Sequence, residues 1–147
     1  MKQRYKVSLV VFVVVVVAAI AIGFGLAGSN KQKSHIYVMP DGYIGWVQII
    51  YNQKDSPELP KEGKAFLHNI PKDGVLRTSS PATSGGMTFY YADEQGKRTE
   101  ISSDMIQGQS IGTKEIKRSD GTMEEAQVNS FFVGTEQQYK EQIPKTQ

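Results

Sequence analysis

The chain has 147 residues, a formal net charge of +2 and no cysteine, which excludes thiol catalysis, cysteine-ligated zinc and disulfide bonds. Three of its 17 basic residues lie in the first six positions, so the remainder carries 14 basic against 15 acidic residues. Because duplex binding needs clustered Lys and Arg, this balance argues against nucleic acid as a partner.

An uncharged segment near the N-terminus is long enough to cross a membrane. Val7–Ala27 contains 21 residues and as a helix would span about 31 Å, against a hydrocarbon core of about 30 Å. The basic residues before it place the N-terminus in the cytoplasm by the positive-inside rule. Residues 1–28 are therefore predicted to be a single-pass cell-membrane anchor, with the lipid bilayer as its partner and the C-terminal domain extracytoplasmic. The alternative is a cleaved signal peptide, with Gly25-Leu26-Ala27 as a weak cleavage site.

The residues after the apolar segment resemble a bacterial lipobox in three of four positions. Leu26-Ala27-Gly28 is followed by Ser29, where a lipobox has the cysteine whose thiol carries the lipid. A hydroxyl cannot replace that thiol, so the sequence predicts that the helix itself holds the protein. Residues 29–35 are polar and are predicted to form a juxtamembrane linker.

Residues 36–134 are predicted to form one all-β domain. The strongest strand signal is Tyr43–Tyr51, in which Val47 and Ile49 are assigned to the core and Trp46 to the opposite face. Seven or eight short strands with frequent turn signals indicate an antiparallel β-sandwich, and no long helices alternate with them. The other predicted strands are Ile36–Met39, Lys64–Ile70, Val75–Ser79, Met87–Ala92, Lys97–Ser102, Ser110–Lys117 and Thr122–Val133.

Residues 135–147 are predicted to be a polar tail with one short helix. Thr135 is followed three residues later by Gln138, the pattern of a capping box. The helix is expected over residues 136–142, before Pro144 ends it.

The sequence contains no recognisable catalytic or metal-binding constellation. His35 falls in the predicted linker and His68 in a strand, and both are expected to be solvated or locally hydrogen-bonded. Without cysteine or a closely spaced histidine pair, we expect no metal site and no cofactor. Neither Gly-x-Ser-x-Gly nor Ser-x-x-Lys occurs, and we expect that the protein is not an enzyme.

Aromatic residues on the predicted strands are the remaining candidates for binding. If they share an exposed face, they could stack on a glycan or contact an envelope protein. The alternative is ordinary packing in the core and behind it. The candidate face consists of Tyr43, Trp46, Tyr51 and Tyr90.

Three segments of the chain together resemble a known group of proteins. Gly42–Tyr51, Ile70–Thr78 and Phe89–Gly96 are similar to a family of small bacterial envelope domains, often lipoproteins, whose function is unknown. The resemblance covers about residues 37–97 and implies an Ig-like or prealbumin-like sandwich. It implies no catalytic residues, and Ser29 departs from the lipobox that such proteins commonly carry.

These observations favour a membrane-anchored extracytoplasmic binding module without catalysis. Two other functions stay open: a structural or accessory subunit of an envelope transport or secretion complex, and an unrecognised hydrolase.

Overall fold

The computed structural model describes residues 33–143. The predicted anchor Val7–Ala27 and the predicted helix stop at Pro144 lie outside the described residues. Within residues 33–143, no helix combines the length and the apolar character that crossing a membrane requires.

The described chain contains nine strands, one turn of 3-10 helix at Ser103–Met105 and one short α-helix. The strands are β1 (Lys33–Pro40), β2 (Gly45–Ile50), β3 (Lys61–Glu62), β4 (Ala65–Asn69), β5 (Val75–Arg77), β6 (Gly85–Ala92), β7 (Arg98–Glu100), β8 (Ile106–Lys117) and β9 (Met123–Val133), and α1 covers Glu136–Gln142.

The strands form two mixed sheets. The five-stranded sheet has the order β3-β4-β1-β6-β7, and the four-stranded sheet has the order β5-β2-β9-β8. In the first, β1 is parallel to both β4 and β6, and in the second β2 is parallel to β5. The all-β prediction is confirmed and the antiparallel prediction is wrong. Since immunoglobulin sandwiches consist of antiparallel sheets, the Ig-like and prealbumin-like assignments are not confirmed.

The parallel pairs follow from the path of the chain between the sheets. β1 and β2 are joined by a tight turn at Asp41-Gly42 but belong to different sheets. After β2 the chain returns to the first sheet as β3 and turns through a hairpin into β4, which runs parallel to β1. After β5 in the second sheet it returns again as β6, which is also parallel to β1. A hairpin would have placed neighbouring strands antiparallel.

Aromatic rings in register across three parallel strands form the centre of the core. Tyr37 of β1 pairs with His68 of β4 and Phe89 of β6, and its ring stacks on both, at centroid distances of 4.3 and 5.0 Å. From the second sheet, Phe131 meets Tyr37 and Phe89 edge-on at 5.5 and 5.2 Å. Val47, predicted as core, is fully buried in the same cluster. Ile49, also predicted as core, is likewise fully buried, so both predictions are confirmed.

Helix α1 packs on the outer face of the four-stranded sheet. Thr135 caps it through Gln138 in the predicted capping box, and the helix covers the predicted residues. Tyr139 lies against Trp46 and Phe132, at centroid distances of 5.7 and 5.8 Å. Its hydroxyl also occupies the space that a Cβ at Gly108 would need. Gly108 has a φ of +58° and lies in a β-bulge of β8, so glycine is required there on both counts.

Truncation of Phe131 should lower the free energy of unfolding by about 3–5 kcal/mol, because Phe131→Ala empties a core position that is 1% exposed. The matched control on the same strand is Met123→Ala, at a side chain that is 58% exposed, where a change within about 0.5 kcal/mol is expected. Urea denaturation of both variants measures the difference. Equal effects of the two substitutions would contradict this packing.

Candidate functional site

An open cavity of about 450 Å³ lies between the two sheets at one end of the sandwich. We call it the intersheet cavity. One wall comes from β1, from the start of β6 and from residues 82–84 before it. The opposite wall comes from β8, β9 and Tyr51 at the end of β2. Its volume is within the range of about 300–1,000 Å³ that is usual for small-molecule sites.

The polar groups of the cavity come from residues directly beside the aromatic core. The Tyr37 hydroxyl accepts a hydrogen bond from the Asn129 side-chain amide at 3.3 Å. Burial, together with the neighbouring Tyr51, raises the pKa of Tyr37 far above its ordinary value, and burial also raises the pKa of Tyr51. Both phenols therefore keep their protons and can donate hydrogen bonds to a ligand.

Two buried histidines lie next to this polar group, where solvated or locally hydrogen-bonded side chains were expected, and neither is solvated. β1 begins at Lys33, so His35 belongs to a strand and is 4% exposed. Its Nε2 lies 3.4 Å from the Thr83 hydroxyl, whereas its Nδ1 is buried without a partner. His68 is fully buried behind it, with the two ring centroids 5.4 Å apart. Neither nitrogen of His68 has a hydrogen-bond partner.

Burial favours the neutral form of both imidazoles. It lowers the pKa of His35, and it lowers that of His68 to about 4, aided by repulsion from His35. Backbone groups of Ile36 and Phe66 favour the charged His68 ring but do not meet hydrogen-bond geometry. In the unfolded chain the His68 imidazole is protonated below about pH 6.5, whereas in the folded protein it is protonated only near pH 4. The free energy of unfolding is therefore highest above pH 6.5 and falls as the pH is lowered towards 4. For His68 alone this loss is about 3 kcal/mol.

The mouth of the cavity carries exposed apolar side chains. Met87 of β6 and Ile111 of β8 both line it and are 44% and 58% exposed. The bulge in β8 between Gln107 and Ser110 adds Gln109 to the lining. None of the lining residues is Asp, Glu, Lys or Arg. The cavity therefore offers apolar surface and uncharged hydrogen-bonding groups.

The four aromatic residues predicted to form one binding face lie apart in the structure. Trp46 is 39% exposed on the outer face of the four-stranded sheet, and the Tyr43 hydroxyl donates to its carbonyl at 2.6 Å. Tyr51 is 2% exposed and lines the intersheet cavity. Tyr90 pairs with Val38, on the face of the five-stranded sheet opposite Tyr37. The Tyr43 ring packs against the core cluster and meets Trp46 only at its backbone carbonyl, so the structure does not bring the four residues onto one face.

Sequence reasoning missed His35, Tyr37 and Asn129 as members of one site. The alternation of His35, Tyr37 and Met39 was a usable signal, because these positions share one face of a strand. The polar residues around His35 made that stretch look like a linker.

Within residues 33–143, no three His, Asp or Glu side chains converge in a way that could hold a metal ion.

The chain was compared with curated proteins, with solved structures and with models of protein families. No curated protein matches the chain. A crystal structure from Bacillus anthracis, described as a "putative lipoprotein", matches with a TM-score of 0.60 at 24% identity, over 77% of this chain and 82% of that one. At this identity the match shows a shared fold. The model of a family of unknown function, DUF6843, matches residues 31–143, and the chain belongs to that family.

Proposed function

We propose that the protein is a membrane-associated, extracytoplasmic binding module whose intersheet cavity takes an uncharged ligand and performs no catalysis on it. The observation that carries the proposal is the cavity itself, about 450 Å³ in volume and open to solvent. Its polar groups converge beside a rigid aromatic core. A preformed concave site with a few fixed polar groups is the usual form of a small-ligand site.

The ligand class follows from the lining. A charged group would leave water and find no opposite charge, since the cavity is lined by aromatic, amide, hydroxyl and apolar side chains. The phenols of Tyr37 and Tyr51 and the amide of Asn129 suit hydroxyl or amide groups. Met87 and Ile111 at the mouth suit an apolar surface. A neutral saccharide combines these features.

The absence of catalysis is proposed from a pair in the cavity lining that resembles a nucleophile and a base. The Thr83 hydroxyl lies 3.4 Å from His35 Nε2. In hydrolytic triads a third group orients the base through its other nitrogen, and here His35 Nδ1 has no partner. Burial also lowers the pKa of His35, which makes it a weaker general base than an ordinary histidine.

The proposed location rests on the N-terminal sequence and on the structural neighbour. Val7–Ala27 follows a basic hexapeptide, the arrangement expected of an anchor whose following domain is exported. The Bacillus anthracis protein of the same fold is described as a "putative lipoprotein". Ser29 in this chain is why we propose the segment itself, rather than a lipid, as the membrane attachment.

Binding in the cavity can be tested with the full chain in micelles of an uncharged detergent. Saturation-transfer NMR with N-acetylglucosamine, its disaccharide and maltose, beside glucuronate and glucosamine as charged counterparts, should show saturable binding of an uncharged probe only. Ser84→Trp places a large ring at the cavity lining and should abolish the signal. Thr99→Trp is the matched control and should leave it unchanged, because Thr99 is exposed on β7 and pairs with Tyr91 at the end of β6 away from the cavity.

Asn129→Ala should weaken that binding by about tenfold, since one hydrogen bond to a buried group is worth about 1–1.5 kcal/mol. Asn69→Ala, at an exposed end of β4, should not. Preferential binding of the charged probes, or a signal that survives Ser84→Trp, would refute the proposed site.

A second candidate function, an accessory subunit of an envelope complex, is favoured by the surface around Trp46. Ile44 and Trp46 are 53% and 39% exposed beside helix α1. Exposed apolar side chains that lie together are typical of contacts between proteins. Crosslinking of the full chain in its native membrane should then yield a heavier species that Trp46→Ala removes and Met123→Ala retains. An unchanged crosslinking pattern would count against this function.

A further inference from the structure

A second concavity, which we call the basic cleft, has a lining quite unlike that of the intersheet cavity. Its volume is about 340 Å³. Residues 53–56 of the loop after β2, Arg77 at the end of β5 and residues 117–119 of the β8–β9 hairpin form it. The two concavities have no lining residue in common.

The cleft concentrates positive charge in a chain whose exported part is nearly neutral. Lys54, Arg77, Lys117 and Arg118 line it, with Asp55 as the single carboxylate of the lining. The side chains of Ser56 and Ser119 add hydroxyl groups. Outside the lining, Glu124 and Asp120 lie near Arg118 and offset part of this charge, so the cleft and its surroundings hold four cations against three carboxylates. The remaining attraction for an anion is weakened by salt.

Both arginines are positioned by one chain of hydrogen bonds. Arg77 Nη1 donates to Gln53 Oε1 at 3.3 Å, and Gln53 Nε2 donates to Glu124 Oε1 at 3.0 Å. The other oxygen of Glu124 pairs with Arg118 Nη1 at 3.1 Å. A guanidinium has five N–H donors, more than these contacts use. The guanidinium groups of Arg77 and Arg118 are therefore held in place and keep free N–H donors for an anion.

Hydrogen bonds within the turn hold the hairpin that carries Arg118. Asp120 Oδ1 accepts hydrogen bonds from the backbone N–H and the hydroxyl of Thr122, at 2.9 and 2.6 Å. The Arg118 N–H donates to the Thr122 carbonyl at 2.8 Å. Fixing the hairpin fixes the backbone of Arg118, so less freedom is lost when an anion binds.

We propose that the basic cleft binds a phosphate group, carried by a phospholipid headgroup or by a soluble phosphate ester. Arginine forks match phosphate oxygens in pairs, and a phosphate offers enough acceptors for two arginines, lysines and serine hydroxyls at once. A single carboxylate has only two oxygens to share among them. The proposal is independent of the function assigned to the intersheet cavity.

The direct test is a titration of the full chain in uncharged detergent micelles with inorganic phosphate, glycerol 3-phosphate and dioctanoyl phosphatidylglycerol, followed by NMR of the arginine side chains. Saturable binding that weakens with added NaCl is expected. Arg77→Gln and Arg118→Gln should each weaken it by about tenfold or more. Arg98→Gln is the matched control, because Arg98 pairs with Glu62 in the other sheet, at 2.9 Å, and it should leave binding unchanged.

Loss of phosphate binding in an arginine variant could also result from misfolding, so a variant that is expected to bind phosphate more tightly is tested as well. Asp55→Asn removes the carboxylate of the lining and should tighten phosphate binding about two- to fivefold. A lipid source predicts that dioctanoyl phosphatidylglycerol binds more tightly than glycerol 3-phosphate, and a soluble source predicts equal or weaker binding. No saturable phosphate binding, an equal loss in Arg98→Gln, or weaker binding in Asp55→Asn would overturn the proposal.

Discussion

The stack of Tyr37 on His68 and Phe89 is the contact on which the rest of the structure depends. It joins three parallel strands in register, and Phe131 of the opposite sheet closes on it edge-on. Along β9 the inner face then changes from Val133 and Phe131 to Asn129 and Gln127. Where the apolar side chains stop, the sheets no longer fill the space between them, and the intersheet cavity begins. The aromatic core and the intersheet cavity therefore lie at opposite ends of the same two facing strands, β1 and β9.

The same stack favours the uncharged forms of the titratable side chains in and behind the cavity. The aromatic packing that buries Tyr37 also buries His35 and His68, and burial favours the neutral form of every one of these groups. Two histidines with unpartnered ring nitrogens are a destabilising feature for a core that could hold aliphatic residues there. For His35, which lines the cavity, a ligand hydrogen bond to the ring would offset part of that penalty. The basic cleft contrasts with this site, since its charges stay near solvent and are arranged by exposed polar contacts.

Local features of the sequence predicted much of the fold. The strand at Tyr43–Tyr51, the burial of Val47 and Ile49 and the capped helix after Thr135 all depend on short-range patterns, and the structure has them. The parallel pairing of β1 with β4 and β6 could not be predicted in this way, because it depends on the route of the chain between sheets. The site was missed for a related reason. His35, Tyr51 and Asn129 meet only in the folded protein, and no spacing in the sequence links them.

The most direct test of this account is an NMR titration of the two imidazole rings in the full chain, which contains only two histidines. Ring ¹⁵N and ¹³C shifts recorded from pH 8 downwards report the charge of each ring separately. We expect His68 to be neutral at pH 6 and to titrate at about pH 4, and we expect the pKa of His35 to lie below its ordinary value of 6.5. A midpoint near pH 6.5 for both rings would show that they are solvated, and would contradict the aromatic stack and the neutral cavity built on it.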